Sequence, residues 1–163
     1  AREMGVSSNG GIQPLMRKLL EGHFSGVYVV GEDLLGMDND KDWIRRALQK
    51  LSFLVVQDIR MTETAQLAHV VLPSTHFGEK EGTYTNRAGR LQKLNVATLA
   101  PEGAMQDCEI FVRLLDASGD RVSYSTPTEV FDAVAKDVPA YRGLNYTVIG
   151  AQGIQLGGGA GQS

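Results

Sequence analysis

The chain has 163 residues, of which 42% are hydrophobic and 21% are charged, so its composition is that of a globular domain and not of a disordered segment. A net charge of -3 argues against a chain that grips nucleic acid or an anionic membrane. The single cysteine, Cys108, excludes an internal disulfide and a cysteine-ligated zinc or iron–sulfur site within this chain.

No apolar stretch approaches the roughly 20 residues that span a bilayer. No signal peptide opens the sequence. We therefore expect no direct membrane insertion and a cytoplasmic location.

The first half of the chain alternates between helical and strand patterns. Apolar spacing predicts helices over 12–21 and from Asp40 or Asp42 to Leu51, and a short helix over 62–68. Between them, β-branched runs predict buried strands at 26–31, 53–57 and 69–72. This order is typical of a parallel sheet with right-handed crossovers, centred on 26–72.

The second half is less regular. Residues 74–90 have no apolar periodicity and predict a long polar loop, and 91–95 predict a further strand. A helix is expected over 105–115, and Thr126, Pro127 and Glu129 have the spacing of a helix start with a capping box. The prediction is a single domain over 1–150, with a functional loop at 74–92 and a flexible Gly-rich tail at 151–163.

Polar residues follow the predicted strands, at the sheet edge where ligands bind. Glu32 follows the first strand and Asp58 the second, and a carboxylate there can accept hydrogen bonds from guanine or from ribose hydroxyls. Asp58 can instead cap the following helix, and both roles can hold at once. Thr62, Glu63 and Thr64 suit a ribose or phosphate, with simple capping as the alternative.

The polar segment 74–90 contains a second set of candidates. Its residues 79–81 form either an acid–base cluster or a solvated loop, while Gly82 and Gly89 permit tight turns and close approach to a ligand. Asn86, Arg87 and Arg90 either meet a pyrophosphate or remain solvated.

Other chemistries lack their motifs. The sequence has no glycine-rich nicotinamide fingerprint, no Walker A sequence and no serine–histidine–aspartate arrangement. Cys108 lies in a helical pattern and is interpreted as a packed thiol. His69 and His76 flank the third predicted strand and are interpreted as structural.

Residues 53–73 resemble the molybdopterin oxidoreductase family, through Gln57-Asp58 followed by Thr62-Glu-Thr-Ala65. Residues 77–86 and 89–92 carry the resemblance further. The family includes the catalytic subunit of formate dehydrogenases and the large peripheral-arm subunit of NADH:quinone oxidoreductase, respiratory complex I. Leu34 departs from the family pattern by replacing a proline, and His69 by replacing an aspartate.

The resemblance implies a Rossmann-like α/β subdomain with an open, mainly parallel sheet and flanking helices. Molybdenum-bearing members hold two molybdopterin guanine dinucleotides between such subdomains. The resemblance therefore implies two kinds of cofactor contact in this chain. Some residues contact the guanosine end of a dinucleotide, and others lie in a loop that closes over the cofactor channel. The residues implied are Gly31, Glu32, Gln57, Asp58, Thr62, Glu81, Gly82 and Asn86.

The resemblance also implies that the chain is part of a larger oxidoreductase subunit and is not catalytic alone. The family's iron–sulfur cysteines and molybdenum ligand lie on other parts of the parent chain. The partners implied are the remainder of that subunit and other respiratory-complex subunits, in a cytoplasmic assembly peripheral to the inner membrane.

Two parents remain open. Residues 86–92, followed by 101–104 and 107–110, are more similar to the large peripheral-arm subunit of complex I, which would support electron transfer from NADH to quinone. In that family branch the fold is widely retained without molybdenum. The alternative is the dinucleotide-binding portion of a formate dehydrogenase-like catalytic subunit.

Overall fold

A computed structural model describes residues 12–37, 40–120 and 122–156. The chain forms two compact units, one up to Pro73 and the other from Ser74 onward. The single domain that the sequence predicted over 1–150 stays a prediction. Each unit has its own sheet and its own hydrophobic core.

The first unit contains a parallel sheet of three strands in the order β1-β2-β3, which confirms the predicted α/β architecture. The central strand β2 aligns Gln57 with Val30 on one side and with Leu72 on the other. The three carboxyl ends consequently meet at one edge of the sheet. The elements of this unit are α1 (Ile12–Leu20), β1 (Gly26–Val30), α2 (Lys41–Gln49), β2 (Phe53–Asp58) and β3 (Val70–Pro73).

The core of the first unit lies between the helices and one face of this sheet. The apolar faces of α1 and α2 pack with alternate residues of β2 to form it, as the apolar spacing of the sequence predicted. Burial of these side chains is the main term that stabilises the unit. The core residues with at most 2% exposure are Met16, Leu19, Leu35, Ile44, Ala47, Leu48, Leu54, Val56 and Ala65.

The second unit contains an antiparallel sheet in the order β4-β5-β6. Strand β5 confirms the strand predicted at 91–95, whereas β4 lies in the segment 74–90, which the sequence predicted to be a loop. The residues of β4 are polar or glycine and none of them is buried, so β4 lacks the apolar alternation that marks a half-buried strand. The elements are β4 (Gly82–Thr85), β5 (Arg90–Leu94), α3 (Asp107–Ser118), α4 (Pro127–Asp137), α5 (Tyr146–Ile149) and β6 (Ile154–Gln155).

The short strand β6 lies in the segment predicted to be a flexible tail. Ile154 pairs with Leu91 of β5, and Leu156 is buried in the core of this unit. Gly153 precedes the strand with a φ of +71°, and a Cβ there would lie 2.5 Å from the carbonyl oxygen of Leu91. Residues 157–163, the rest of the predicted tail, lie outside the described residues.

Helix α4 begins as its sequence predicted. The Thr126 side chain accepts a hydrogen bond from Glu129 N, and the Glu129 carboxylate accepts one from Thr126 N. Pro127 occupies the first turn, where its missing N–H has no cost. Among the described residues, none of the helices is long and apolar enough to cross a membrane.

Candidate functional site

The carboxyl edge of the parallel sheet carries the first set of candidate residues. Gly31 follows β1, and its N–H donates to the carbonyl oxygen of Gln57 at 2.8 Å, which ties the end of β1 to β2. Gly31 has a φ of +67° and nothing within 4 Å of the position where a Cβ would stand. The backbone there is therefore open to a ligand, and an L side chain would strain the turn.

Asp58 ends β2 with its carboxylate held in a fixed direction. The side chain is buried, and Oδ1 accepts a hydrogen bond from Arg60 N at 3.1 Å. This bond makes a local turn of the kind that aspartate favours. Asp58 therefore does not cap the following helical turn, which begins after Thr64, but the local turn leaves its carboxylate oriented at the sheet edge.

Gln57 is placed differently from Asp58, because it is fully buried at 0% exposure. Its side-chain oxygen accepts a hydrogen bond from the hydroxyl of Tyr28. Its backbone oxygen accepts the bond from Gly31 N. Gln57 therefore supports the edge from inside the unit.

Thr62 lies in the turn that follows β2. Its Oγ1 accepts a hydrogen bond from Ala65 N at 3.1 Å, which is the capping role considered from the sequence. Next to it, Glu63 contacts Lys41 at 2.6 Å and Arg45 at 3.2 Å. The hydrogen bond and charge of Lys41 lower the pKa of Glu63, so helix α2 is tied to this turn by charge.

Asp33, an acidic residue at the end of the first predicted strand that was not among the predicted cofactor contacts, connects the turns after β1 and β2 through Thr64. Asp33 Oδ1 accepts hydrogen bonds from Thr64 Oγ1 at 2.6 Å and from Thr64 N at 3.2 Å. Thr64 Oγ1 accepts in turn from Leu35 N at 3.0 Å. The sequence shows polar residues at the ends of both strands. It does not show that Asp33 and Thr64, which are 31 positions apart, form a hydrogen bond.

The pKa of Asp33 is lowered overall. Desolvation by burial raises it, but the hydrogen bonds from Thr64 and Gly36 and the charge of Lys41 outweigh that effect. Asp33 is therefore a carboxylate at neutral pH, which is the form that accepts both bonds from Thr64.

The second unit carries the candidates Glu81 and Gly82, at the start of β4. Glu81 N donates to the side-chain oxygen of Gln106 at 3.3 Å, and Lys80 pairs with Asp107 at the start of α3. Glu81 and Gly82 line a cavity of about 360 Å³ within this unit. The rest of its lining is mainly apolar and includes Tyr84, Cys108, Val130, Phe131 and Val134.

Asn86 closes the turn between β4 and β5. Its Oδ1 accepts hydrogen bonds from Ala88 N at 2.9 Å and from Arg90 N at 3.0 Å. The Arg90 guanidinium donates to the carbonyl oxygens of Gln152 and Gly153. Both side chains thus have structural partners, and of the three polar residues considered for a pyrophosphate only Arg87 is exposed in the turn itself.

The candidates that the fold brings together are those of the first unit. Gly31, Gln57 and Asp58 meet at one sheet edge through the register of β1 and β2. Glu32 is exposed beside Gly31, and Thr62 lies in the turn that follows Asp58. Glu81, Gly82 and Asn86 belong to the other unit.

The thiol of Cys108 and the rings of His69 and His76 are the other reactive side chains considered from the sequence. Burial raises the pKa of the Cys108 thiol, which favours its protonated form. His69 Nδ1 accepts from Leu54 N, and His76 Nδ1 accepts from Gly78 N. Within the described ranges, no three of the histidine, cysteine, aspartate and glutamate side chains are grouped to hold a metal ion.

The chemistry of the first unit's edge fits the nucleoside end of a guanine dinucleotide. Guanine and ribose present N–H and O–H donors, and Glu32 and Asp58 present carboxylate acceptors beside the open backbone of Gly31. The same negative charges disfavour phosphate at this edge. The geometry therefore suits a base and a sugar better than a pyrophosphate.

Residues 1–117 match the family model of molybdopterin oxidoreductase. This covers more than half of the chain, which therefore belongs to the molybdopterin oxidoreductase family.

Curated relatives include the F420-dependent formate dehydrogenase 2 subunit alpha of Methanococcus maripaludis. It is 40% identical over 131 residues, which are 79% of this chain and 19% of the relative. An NADH-quinone oxidoreductase subunit of Rhizobium meliloti is 38% identical over 133 residues, 82% of this chain and 16% of the relative. The chain thus spans about a fifth of the length of its curated relatives, and both predicted branches are represented.

A solved structure supports the fold. Acetylene hydratase from Pelobacter acetylenicus superposes with a TM-score of 0.65 over 82% of this chain and 19% of that enzyme's chain, at 19% sequence identity. At that identity the likeness concerns the fold alone, and it agrees with the α/β architecture described above.

Proposed function

We propose that this chain is the part of a molybdopterin oxidoreductase subunit that holds the guanosine end of a molybdopterin guanine dinucleotide. The observation that carries the proposal is the oriented carboxylate of Asp58 at the sheet edge, fixed by Arg60 N at 3.1 Å and adjoining the open Gly31 turn. When bound, the cofactor supplies the redox chemistry of the parent enzyme.

The chain's own residues bind and orient the nucleoside. Asp58 and Glu32 accept hydrogen bonds from guanine and ribose donors, and the Thr62 hydroxyl can donate to a sugar oxygen while it accepts from Ala65 N. Gly31 keeps side-chain atoms away from the ligand, and the buried Gln57 holds the strand ends in register.

In the second unit, we assign cofactor contacts to Glu81 and Gly82. Support comes from their position on the wall of the 360 Å³ cavity and from the bond between Glu81 N and Gln106. Asn86 acts there by shaping the turn that precedes β5.

For the parent protein, the first candidate is the alpha subunit of a formate dehydrogenase-like enzyme, supported by formate dehydrogenase relatives that reach 40% identity. The second candidate is the large peripheral-arm subunit of NADH:quinone oxidoreductase, supporting electron transfer from NADH to quinone. Two observations favour this second candidate: the relative from Rhizobium meliloti is 38% identical over 133 residues, and the sequence of residues 86–92 is similar to that subunit.

The deciding experiment uses the natively purified protein that carries this chain. Molybdenum is measured by elemental mass spectrometry, and guanine nucleotide is measured by chromatography after acid release. About one molybdenum and two guanine nucleotides per chain are expected for the dinucleotide-holding subunit. Iron without molybdenum or guanine nucleotide would contradict that function and support the complex I candidate.

A further inference from the structure

Two turns at the carboxyl edge of the first unit are joined by a short relay of hydrogen bonds. Leu35 N donates to Thr64 Oγ1, and the Thr64 hydroxyl donates to Asp33 Oδ1. A second bond runs from Thr64 N to the same carboxylate oxygen. The relay connects residues that are about thirty positions apart in the chain.

The hydroxyl of Thr64 is the central link, because it both accepts and donates. Thr64 is fully buried at 0% exposure, so no water can replace either bond. Loss of the hydroxyl would leave Leu35 N and the Asp33 carboxylate short of a partner at the same time. The bond from Thr64 N to Asp33 Oδ1 would remain, so the link between the two turns would be weakened but not broken.

The position of the relay connects it with the nucleoside edge. Asp33 directly follows Glu32, and Thr64 lies two residues after Thr62. The relay therefore sets the distance between a ligand residue on the turn after β1 and another on the turn after β2. Thr64 has no exposed surface, so it can act on a nucleoside only through its neighbours.

We propose that Asp33 and Thr64 are positioning residues that couple these two turns and so pre-organise the edge for guanosine. The inference rests on the proposed function, because it assigns these residues a role at the same site. Pre-organisation favours binding by removing the entropy cost of ordering the two turns when the ligand arrives.

The test compares two substitutions of one residue in the natively purified protein. Thr64→Val has nearly the same shape but lacks the hydroxyl, whereas Thr64→Ser retains it. Two quantities are measured: the rate at which guanine nucleotide is lost on dilution, and hydrogen–deuterium exchange of the turn over 31–36. A ligand-positioning role affects both, and a merely structural role affects only the exchange.

Thr75→Val is the matched control. Thr75 is also buried, at 1% exposure, but its hydroxyl has no hydrogen-bond partner within the described residues. Its substitution by valine removes the same group without breaking a relay, and we expect wild-type nucleotide loss from this variant.

Thr64→Val loses both hydrogen bonds of the hydroxyl, and we expect about tenfold faster nucleotide loss with faster exchange over 31–36. Thr64→Ser should restore both values. If Thr64→Val fails to fold, Asp33→Asn provides the second test: it keeps an acceptor oxygen without the charge and should give a smaller increase in nucleotide loss.

Two results would overturn the inference in distinguishable ways. If Thr64→Val loses guanine nucleotide at the wild-type rate, the positioning role is wrong and the proposed function is unaffected. Where Thr64→Val does not fold, a wild-type rate for Asp33→Asn has the same meaning. A wild-type protein that carries no guanine nucleotide would overturn the proposed function, and the positioning role with it.

Discussion

His69 and Leu54 form a pair of hydrogen bonds in which an imidazole takes the place of a backbone carbonyl. Leu54 N donates to His69 Nδ1 at 2.9 Å, and His69 N donates to the carbonyl oxygen of Leu54 at 2.8 Å. The histidine ring thereby extends the pairing of β2 with β3 by one position. It stands where the family pattern has an aspartate, whose carboxylate can accept a bond from the same N–H.

Replacing His69 by an apolar ring should therefore destabilise the first unit. His69→Phe leaves Leu54 N without its acceptor, and we expect the free energy of unfolding to fall by about 1–2 kcal/mol in urea denaturation. For His69→Asp, which keeps an acceptor, the free energy of unfolding should fall by less. His23→Phe, at an exposed position, is the control. Equal stability of His69→Phe and the control would contradict this role.

Asp58 can be tested without disturbing its turn. Asp58→Asn keeps an oxygen for Arg60 N but loses the negative charge, and Asp58→Ala loses both. We expect the alanine variant to bind guanine nucleotide more weakly by about 1–3 kcal/mol, as judged by nucleotide retained on the purified protein. Asp116→Asn, on the exposed surface of α3, should retain wild-type occupancy. Full occupancy in Asp58→Ala would refute the assigned contact.

The capping box of α4 provides a prediction about local stability. Thr126→Ala removes the acceptor of Glu129 N and should lower the free energy of unfolding by about 1 kcal/mol. The measurement is a thermal or urea unfolding curve, with Thr98→Ala at an exposed loop position as the reference. A loss no larger than that of the reference would mean that α4 does not depend on its cap.

Glu129, the second residue of this capping box, predicts that the stability of the protein depends on pH. Hydrogen bonds from Ser125 and Thr126 lower the pKa of Glu129 below its ordinary value of 4.5. A depressed carboxyl pKa stabilises the fold above the unfolded value, and this contribution is lost as pH falls through the folded value. Glu129→Gln should therefore be less stable than wild type near pH 7, and the difference should shrink below pH 4.5. A difference that is constant with pH would contradict this origin.

Gly153 and Gly143 offer a matched pair of glycine substitutions. Both have positive φ values, +71° and +79°, so alanine is strained at either position. Only at Gly153 would the new Cβ also meet backbone, 2.5 Å from the oxygen of Leu91. We expect Gly143→Ala to cost about 1–2 kcal/mol and Gly153→Ala clearly more, with faster hydrogen exchange in β5. Equal costs would show that β6 does not pack closely on β5.

The sequence by itself determined those elements whose signal is local. The cap of α4 depends on Thr126, Pro127 and Glu129, which are neighbours in the chain, and the structure confirms it. The strands β1 and β2 are short β-branched runs next to glycine or polar residues, and their alternation with helices predicted the parallel sheet. The carboxyl edge was predictable as well, because parallel strands end on the same side.

Amphipathic spacing alone did not decide which apolar surfaces are covered. Four apolar residues lie on one side of α3, but only Ile110 is buried, whereas Leu114 and Leu115 are 42% and 39% exposed. Periodicity identifies a face that can be buried, but burial requires a partner surface. That partner is set by tertiary structure.

Only the tertiary structure decided which polar groups pair. The bond between Asp33 and Thr64 and the bond between Tyr28 and Gln57 each join residues about thirty positions apart. The bonds from Arg90 to the carbonyl oxygens of Gln152 and Gly153 span more than sixty. A hydrogen bond depends on distances of about 3 Å between atoms, and sequence patterns carry no information on such distances once the chain has turned several times. The edge was thus visible in the sequence, but the relay that holds it was not.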